Sequence, residues 1–170
     1  MGPAQGLEFM VKIAKNVSDL KDLIFLLVGD GTEKSKVEKV INDSSVKNVI
    51  IKPFVSKEEY PYLVKDFDVG FVCLSSDNKT SFVPGKILGY MAASKPILAF
   101  LNKESDGFAV LKEVNCGYAA NSDNLEEAET ITRKIYAEKD KLKRMGENGF
   151  KYASDNLTVA TVVEKLEKLF

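Results

Sequence analysis

The chain has 170 residues, which is long enough for one domain with a sizeable hydrophobic core. Its 24 Lys and Arg residues nearly balance its 25 Asp and Glu residues, which argues against a nucleic acid or an acidic macromolecule as the partner. The absence of histidine excludes Ser-His and Cys-His nucleophile pairs and histidine-ligated zinc sites. Any catalytic chemistry would therefore depend on carboxylates, lysine, hydroxyls or the backbone.

A helical pattern opens the chain and a strand pattern follows it. Apolar residues recur at helical spacing at Leu7, Met10, Val11, Ala14 and Val17. Residues 23–28 are almost uniformly apolar and predict a buried strand that ends at the turn Gly29-Asp30-Gly31. We expect a second helix over residues 33–41 and a strand over residues 49–51.

Ser56 and Glu59 mark the entrance of a third helix, because a serine followed three residues later by a glutamate forms a capping box. Pro61 is tolerated only in a first helical turn, so the helix proper begins near it. The remaining alternation predicts strands over residues 68–74, 96–101 and 118–120, with helices over residues 86–93 and 108–114 between them.

The last part of the chain is predicted to be helical, with two apolar stripes. The first comprises Leu125, Ala128, Ile131 and Ile135. The second follows Thr158, a candidate N-cap, and comprises Val159, Val162, Val163, Leu166, Leu169 and Phe170. This second stripe either packs on the core of the domain or leaves part of its apolar surface exposed.

Short apolar strands separated by helices predict the α/β class, specifically a doubly wound parallel sheet with helices on both faces. No internal repeat or linker divides the chain, so residues 1–170 are predicted to form one domain. Cys73 and Cys116 share no ligand spacing, and Cys73 lies in an apolar run that favours a buried small hydrophobe over a catalytic thiol. Together with the lack of a signal-peptide pattern, this favours a reducing, cytoplasmic setting.

Ligands of doubly wound sheets bind outside the carboxyl ends of the strands, which selects a few loops as candidates. Pro84, Gly85 and Lys86 open a short helix, where free amides, the helix dipole and a cation favour a phosphate. The alternative is a Pro-Gly turn with a solvated lysine.

Two glycine pairs are further candidates. Gly29 and Gly31 form either a plain turn or a ligand-facing loop, and their spacing is not that of a dinucleotide-binding motif. Gly2 and Gly6 form either a second phosphate-binding turn or an ordinary chain terminus. The polar loop of residues 75–80 could donate hydrogen bonds to a ligand, or it could be a flexible exposed loop.

Four segments in this order resemble one known family. They are LIFLLVGDGTEKSKVEKV, NVIIKPFVSKEEYPYLVKDFDVGFVCLSS, VPGKILGYMAASKPILAF and LKRMGENGFKYASDNLTVATVVEKLEKLF. The chain resembles the C-terminal, donor-binding domain of GT-B glycosyltransferases of the group 1 (family 4) type. Within that family the opening MGPAQGLEF is most similar to the colanic-acid and O-antigen fucosamine-transferase kind.

The resemblance implies that the domain binds a UDP- or GDP-sugar without an essential metal or other cofactor. By position, Pro84, Gly85 and Lys86 would hold the diphosphate, and Gly2 and Gly6 would approach it from the opposite side. Phe54 and Val55 would border the base, Gly29 and Gly31 would line the floor, and Ser81 would face the donor sugar, whereas no residue is assigned as catalytic or as a metal ligand.

Two family features are absent from the sequence. The family's E-x7-E pattern would place carboxylates at positions now held by Ser81 and Gly89, and the second of these usually binds the ribose hydroxyls. Some branches with a P-S-K type loop also lack the pattern. The family's first strand, which is central in the strand order 3-2-1-4-5-6, is absent as well and would leave two unpaired sheet edges.

We therefore expect an incomplete piece of a transferase for surface polysaccharide synthesis. It would bind donor weakly, transfer nothing alone, and need a separate acceptor-binding domain or chain. That partner could bring it to the inner membrane face, and its open edges could promote self-association. The alternatives are a fragment of a nucleotide-sugar 2-epimerase, disfavoured by the absence of histidine, and a non-catalytic flavodoxin-like or receiver-like module, disfavoured by the absence of an opening acidic pair.

Overall fold

Parallel strands and helices alternate along the chain, as the apolar patterns predict. The computed structural model describes residues 1–168, apart from the side chains of residues 165 and 166. The strands are β1 (Phe25–Val28), β2 (Val49–Lys52), β3 (Gly70–Cys73), β4 (Ile97–Leu101) and β5 (Gly117–Asn121). The helices are α1 (Leu7–Asn16), α2 (Lys34–Asp43), α3 (Tyr60–Lys65), α4 (Gly85–Ala92), α5 (Gly107–Val114), α6 (Leu125–Ala137), α7 (Leu142–Asn156) and α8 (Val159–Glu167).

The strands form two parallel ladders instead of one continuous sheet. In one ladder β1 pairs with β2, with Phe25 opposite Val49. In the other the order is β3-β4-β5, and Ile97 of β4 lies opposite both Gly70 and Gly117. Within the described residues no ladder joins β1 to β3. The expectation of a doubly wound fold with two unpaired edges at its centre is therefore confirmed.

Helices cover both faces of the strands, because successive strand residues point to opposite faces. Along β4, Leu98 and Phe100 join a core with α1, α2 and α6. Ile97, Ala99 and Leu101 join a second core with α3, α4, α5 and α7. All five residues of β4 are buried, which explains the uninterrupted apolar run in the sequence.

Local signals in the sequence correspond to hydrogen bonds in the structure. The Ser56 amide donates to a Glu59 carboxylate oxygen at 3.0 Å, and the Glu59 amide donates to the Ser56 hydroxyl at 3.2 Å, so the capping box forms. The Thr158 hydroxyl accepts from the Thr161 amide at 3.1 Å, as an N-cap does. The strand predicted from residue 23 begins later, because the Leu23 amide bonds to the Leu20 carbonyl in a turn.

The apolar stripe of α8 does not pack into either core along its described part. Val159 is 82% exposed, and Val162 and Val163 are also exposed. Packing on the domain core is therefore wrong for these three residues, while the side chain of Leu166 and residues Leu169 and Phe170 lie outside the described part. Over residues 1–168, no helix combines the length and the hydrophobicity needed to cross a membrane.

Candidate functional site

The N-terminal segment, residues 1–6, crosses the carboxyl ends of β1 and β3. The Met1 amino group donates to the carbonyl oxygen of Asp30, two residues beyond β1. The Glu33 amide donates to the Met1 carbonyl oxygen at 3.3 Å, and the Ser75 amide donates to the Ala4 carbonyl oxygen at 2.8 Å. This segment therefore lies at the edge of the sheet where doubly wound folds bind ligands.

Two glycines allow this close approach. Gly31 has φ +144°, and a Cβ there would clash with the backbone of Met1. Gly6 has φ +55°, and a Cβ there would lie 2.9 Å from the Cα of Ser75. Both positions therefore require glycine for the path of the chain itself. Their part in ligand binding stays a prediction.

A cleft of about 490 Å³ and another of about 380 Å³ open on the surface, and the smaller one lies at the N-terminal segment. Gly2, Gly6, Lys36, Ser75 and Ser122 line part of this smaller cleft. Ser122 is only 4% exposed, and its hydroxyl has no hydrogen-bond partner within residues 1–168. A cleft with a buried, unpaired hydroxyl in its wall can accept a polar ligand.

Lys86 lines neither of these two clefts, and its side chain has no partner among the described residues. Among the described residues, none forms a hydrogen bond or an ion pair with its ammonium group, and no side chain caps the first turn of α4. Lys86 is exposed to solvent at the surface, and partial desolvation of its ammonium group lowers its pKa, an effect that the nearby Cys73 opposes. The Cys73 thiol lies 3.7 Å from the Gly6 carbonyl oxygen, so the N-terminal segment packs against this cysteine.

Cys73 itself is an unsuitable nucleophile. It is a free cysteine, 7% exposed, and burial raises the pKa of its thiol to about 12. The thiolate is therefore scarce at neutral pH. The prediction of a buried small hydrophobe is confirmed.

The loop before α4 is braced by the loop that follows β4. The Ser81 hydroxyl lies 3.3 Å from both carboxylate oxygens of Asp106. The Asn102 side-chain amide donates to the Thr80 carbonyl oxygen at 3.3 Å, and the Ser105 hydroxyl donates to the Phe82 carbonyl oxygen at 3.0 Å. The predicted sugar-facing residue, Ser81, is therefore held against a carboxylate.

The base-binding candidates are less constrained. Phe54 is 75% exposed, and no aromatic ring in the part of the chain that the structure describes stacks on it. Val55 is half-buried in the same loop after β2. Gly29 has φ +128°, and a Cβ there would contact nothing within 4 Å. These positions stand at the ligand-binding edge but share no hydrogen bond with the N-terminal segment or with Lys86.

Sequence reasoning missed Asp106, Asn102 and Ser122. All three follow the carboxyl ends of β4 or β5, so a polar residue just after a buried strand was an available signal. The Asn102 side-chain oxygen Oδ1, like the Ser122 hydroxyl, is buried without a partner in the described residues. Within residues 1–168, no group of three or more acidic or cysteine side chains is arranged to hold a metal ion.

One protein family matches most of the chain. The model of the family described as Glycosyl transferases group 1 matches residues 1–137. The protein named as the colanic acid biosynthesis glycosyl transferase WcaI of Escherichia coli (strain K12) is 29% identical over 92 residues. That match covers 54% of this chain and 22% of WcaI.

Three solved structures share the fold of this chain. S. aureus TarM, crystallised with fondaparinux, alpha-GlcNAc-glycerol and UDP, has a TM-score of 0.81 at 18% identity, covering 99% of this chain and 33% of TarM. WaaG, a glycosyltransferase involved in lipopolysaccharide biosynthesis, has a TM-score of 0.75 at 15% identity, covering 96% of this chain and 43% of WaaG. Sucrose-phosphate synthase from Thermosynechococcus elongatus has a TM-score of 0.76 at 15% identity, covering 99% of this chain and 42% of the synthase. This chain thus spans less than half the length of these three proteins.

Proposed function

The chain belongs to the group 1 glycosyl transferases, and we propose that it is the donor-binding domain of such an enzyme. Its ligand is a nucleotide-diphosphate sugar, and the transfer it serves belongs to polysaccharide or glycoconjugate synthesis. The family match supports the reaction class, and TarM, with 33% of its length covered, was crystallised with UDP. No metal or other cofactor is part of the proposal.

The observation that carries the proposal is the unpaired ammonium of Lys86 at the start of α4. A cation at a helix N-terminus opposes the helix dipole, and partial desolvation of this exposed lysine adds a smaller cost to its charge. A diphosphate would offset both costs, because its oxygens would accept from the ammonium and from the first-turn amides of Gly85 and Lys86. Pro84, at the N-cap, fixes the entry of the chain into this turn.

We assign the other contacts with the donor to residues at the same carboxyl edge of the strands. Gly2 and Gly6 approach the diphosphate from the N-terminal segment, and Gly29 and Gly31 line the floor. The base lies against Phe54 and Val55, where an exposed ring is open to stacking. The sugar faces Ser81.

We further propose that the acceptor is bound by a separate domain or chain. The donor of a two-domain transferase lies between the domains, so one domain alone contributes only part of the contacts. The isolated chain is then expected to bind donor weakly and to transfer no sugar. We place the domain on the cytoplasmic side of the inner membrane, where the partner would hold it. The two free, buried cysteines agree with this reducing compartment.

Isothermal titration of the chain with UDP, GDP and their sugars tests donor binding directly. We expect binding of at least one nucleotide series, and we expect Lys86→Ala to weaken it by about tenfold, the loss of one charge-assisted contact. Lys143→Ala is the matched control, because that lysine is exposed on α7 and pairs only loosely with Glu147 at 3.9 Å. No heat with any nucleotide, or equal effects of the two variants, would contradict the proposal.

A further inference from the structure

The larger of the two clefts lies at the amino ends of β1 and β2, away from the edge proposed to bind the donor. Its volume is about 490 Å³, and its walls come from the end of α1 and from the connections of residues 17–24 and 44–48. The Phe25 amide donates to the Asn48 carbonyl oxygen at 2.9 Å, so the two connections meet where the strands begin. The volume is typical of a small-molecule site, and none of the residues assigned to the donor lines this cleft.

Three lysines line the larger cleft, and no acidic residue does. They are Lys15, in the last turn of α1, and Lys21 and Lys47, in the two connections. All three are exposed, and within residues 1–168 their ammonium groups form no ion pair or hydrogen bond. The negative end of the α1 dipole accounts for a cation at Lys15, whereas Lys21 and Lys47 lie outside helices. Like charges therefore converge on one concave surface, which favours an anionic occupant.

The carboxylates nearest in sequence do not offset these charges. Both carboxylate oxygens of Asp19 accept hydrogen bonds from Arg133 of α6, at 2.8 and 2.9 Å. Asp22 does not line the cleft and forms no ion pair in the described part of the chain. The positive charge of the cleft is therefore available to a ligand.

Asn48 adds a second requirement, because it is a buried polar residue in the wall of the same cleft. It is only 8% exposed, and its side-chain amide donates to the Ala14 carbonyl oxygen at 2.8 Å, which fixes the side chain against α1. Its Oδ1 is buried and has no hydrogen-bond partner among residues 1–168. An amide oxygen only accepts, so its partner must be a donor such as a hydroxyl and cannot be a bare anion.

Serine hydroxyls complete the polar lining. Ser18, Ser44 and Ser45 line the cleft, and their hydroxyls form no hydrogen bond to any described residue. Their backbone is nevertheless fixed, since the Ser18 amide donates to the Lys15 carbonyl oxygen at 3.2 Å and the Ser45 amide donates to the Asn42 carbonyl oxygen at 3.1 Å. The hydroxyls are therefore free to donate to or accept from a ligand without a rearrangement of the chain.

We propose that the larger cleft binds a monosaccharide phosphate. Its phosphate pairs with the ammonium groups of the three lysines, and a sugar hydroxyl donates to Oδ1 of Asn48. Inorganic phosphate would leave the asparagine oxygen unmatched, and a neutral sugar would leave the lysines unmatched. Leu20 and Ile24, which also line the cleft, offer apolar contact to the carbon atoms of the ring. This second site lies apart from Lys86, so the inference goes beyond the proposed donor binding and does not depend on it.

Nuclear magnetic resonance of the isotope-labelled chain tests the site with three probes: glucose-6-phosphate, glucose and inorganic phosphate. Glucose-6-phosphate is expected to shift the amide resonances of residues 18–24 and 44–48 and to leave those of residues 84–89 in place. It should bind about fivefold more tightly than inorganic phosphate, because only the sugar phosphate has a hydroxyl for Asn48. Glucose should bind at least about tenfold more weakly than glucose-6-phosphate, because it lacks the charge.

A pair of double variants tests the lysines. Lys21→Gln with Lys47→Gln should weaken binding of glucose-6-phosphate by about tenfold or more, and both side chains are exposed, so the fold should be kept. Lys112→Gln with Lys143→Gln removes the same charge from exposed positions on α5 and α7 and is the matched control. Equal losses in the two double variants would overturn the proposal, because general attraction to a less positive protein would explain them.

Two further results would also overturn it. One is a shift confined to residues 84–89, which would place the sugar phosphate at the donor site. The other is sedimentation of the chain with phosphatidylglycerol vesicles without any response to glucose-6-phosphate, which would identify a lipid headgroup as the occupant. Titration with UDP and GDP, monitored at residues 84–89, is a separate readout, so failure of either proposal is recognised independently.

Discussion

The hydroxyl of Ser81 lies 3.3 Å from each carboxylate oxygen of Asp106, and the two residues are 25 positions apart in the chain. The E-x7-E pattern of the resembled enzymes has a carboxylate at the position of Ser81. Here a carboxylate reaches the same place from the start of α5. The fold can thus supply an acidic group at the predicted sugar site although the local motif lacks one.

Asp106→Asn is expected to weaken binding of a nucleotide sugar by about three- to tenfold while leaving the free nucleoside diphosphate almost unaffected, because a carboxylate is the stronger acceptor for sugar hydroxyls. The Asp106 side chain makes no capping hydrogen bond to α5, so the helix should keep its start in the variant. Paired titrations with UDP-sugar and UDP, or the GDP series, measure the difference. Asp123→Asn is the control in the next loop, where Asp123 pairs with Lys103 at 3.0 Å. Equal losses for sugar and diphosphate would indicate a purely structural role for Asp106.

The apolar pattern predicts much of the fold but little of the site. Runs such as residues 97–101 identify strands because parallel strands are buried on both faces, and Ser56 and Thr158 identify helix starts because caps act locally. The Ser81–Asp106 contact depends on two loops that meet only in the folded chain. Similarly, the exposure of Val159 could not be read from its stripe, since periodicity identifies an apolar face and not the surface that covers it.

The lowered pKa of Lys86 predicts a pH dependence of nucleotide binding. The ammonium loses its proton below its ordinary value of 10.5, so affinity should fall as the pH rises towards that value. Lys86→Arg should keep its affinity over the same range, because a guanidinium stays charged. Titrations from about pH 7 to pH 10 compare the two proteins. A parallel decline in both would assign the pH effect to another group.

The stability of the nucleotide-free chain should change with pH in the opposite direction to nucleotide affinity. Because the pKa of Lys86 is lower in the folded state than in the unfolded state, the small cost of partly desolvating its exposed ammonium group is present in full below the folded pKa. It is relieved as the pH rises through that pKa. Without nucleotide, Lys86→Met should therefore gain stability over the wild type near neutral pH, and this gain should shrink in alkaline solution. Urea denaturation at several pH values measures it, and a gain independent of pH would contradict the lowered pKa.

Alanine substitutions at Gly6 and Gly2 distinguish a glycine that the backbone conformation requires from a glycine that a ligand would approach. Gly6→Ala is expected to destabilise the fold by about 1–2 kcal/mol, since the left-handed backbone is strained for alanine and its Cβ would lie 2.9 Å from Ser75 Cα. Gly2 has φ −132°, and a Cβ there would contact nothing within 4 Å, so Gly2→Ala should change stability by less than about 0.5 kcal/mol.

If a diphosphate approaches Gly2 closely, Gly2→Ala will still weaken nucleotide binding. Urea denaturation gives the free energy of unfolding, and calorimetry with nucleotide gives the affinity of the same proteins. A Gly2→Ala protein that is both stable and fully competent for binding would remove Gly2 from the proposed site. A Gly6→Ala protein of unchanged stability would contradict the close packing of the N-terminal segment on Ser75.

Gly89→Glu is expected to strengthen nucleotide binding. Gly89 lies inside α4 and is exposed, and a Cβ there would contact nothing within 4 Å, so a side chain has room. Any good helix former should stabilise α4 by about 0.5–1 kcal/mol at this position. A carboxylate should in addition accept hydrogen bonds from the ribose hydroxyls, as the carboxylate of the resembled enzymes does at this position.

Gly89→Gln is the control, because it gives the helix a similar gain without the charge. We expect equal unfolding free energies for the two variants and a several-fold higher affinity for Gly89→Glu. Lower affinity of Gly89→Glu than of Gly89→Gln would instead mean that the new carboxylate pairs with Lys86 one turn away, and the ribose would then lie elsewhere.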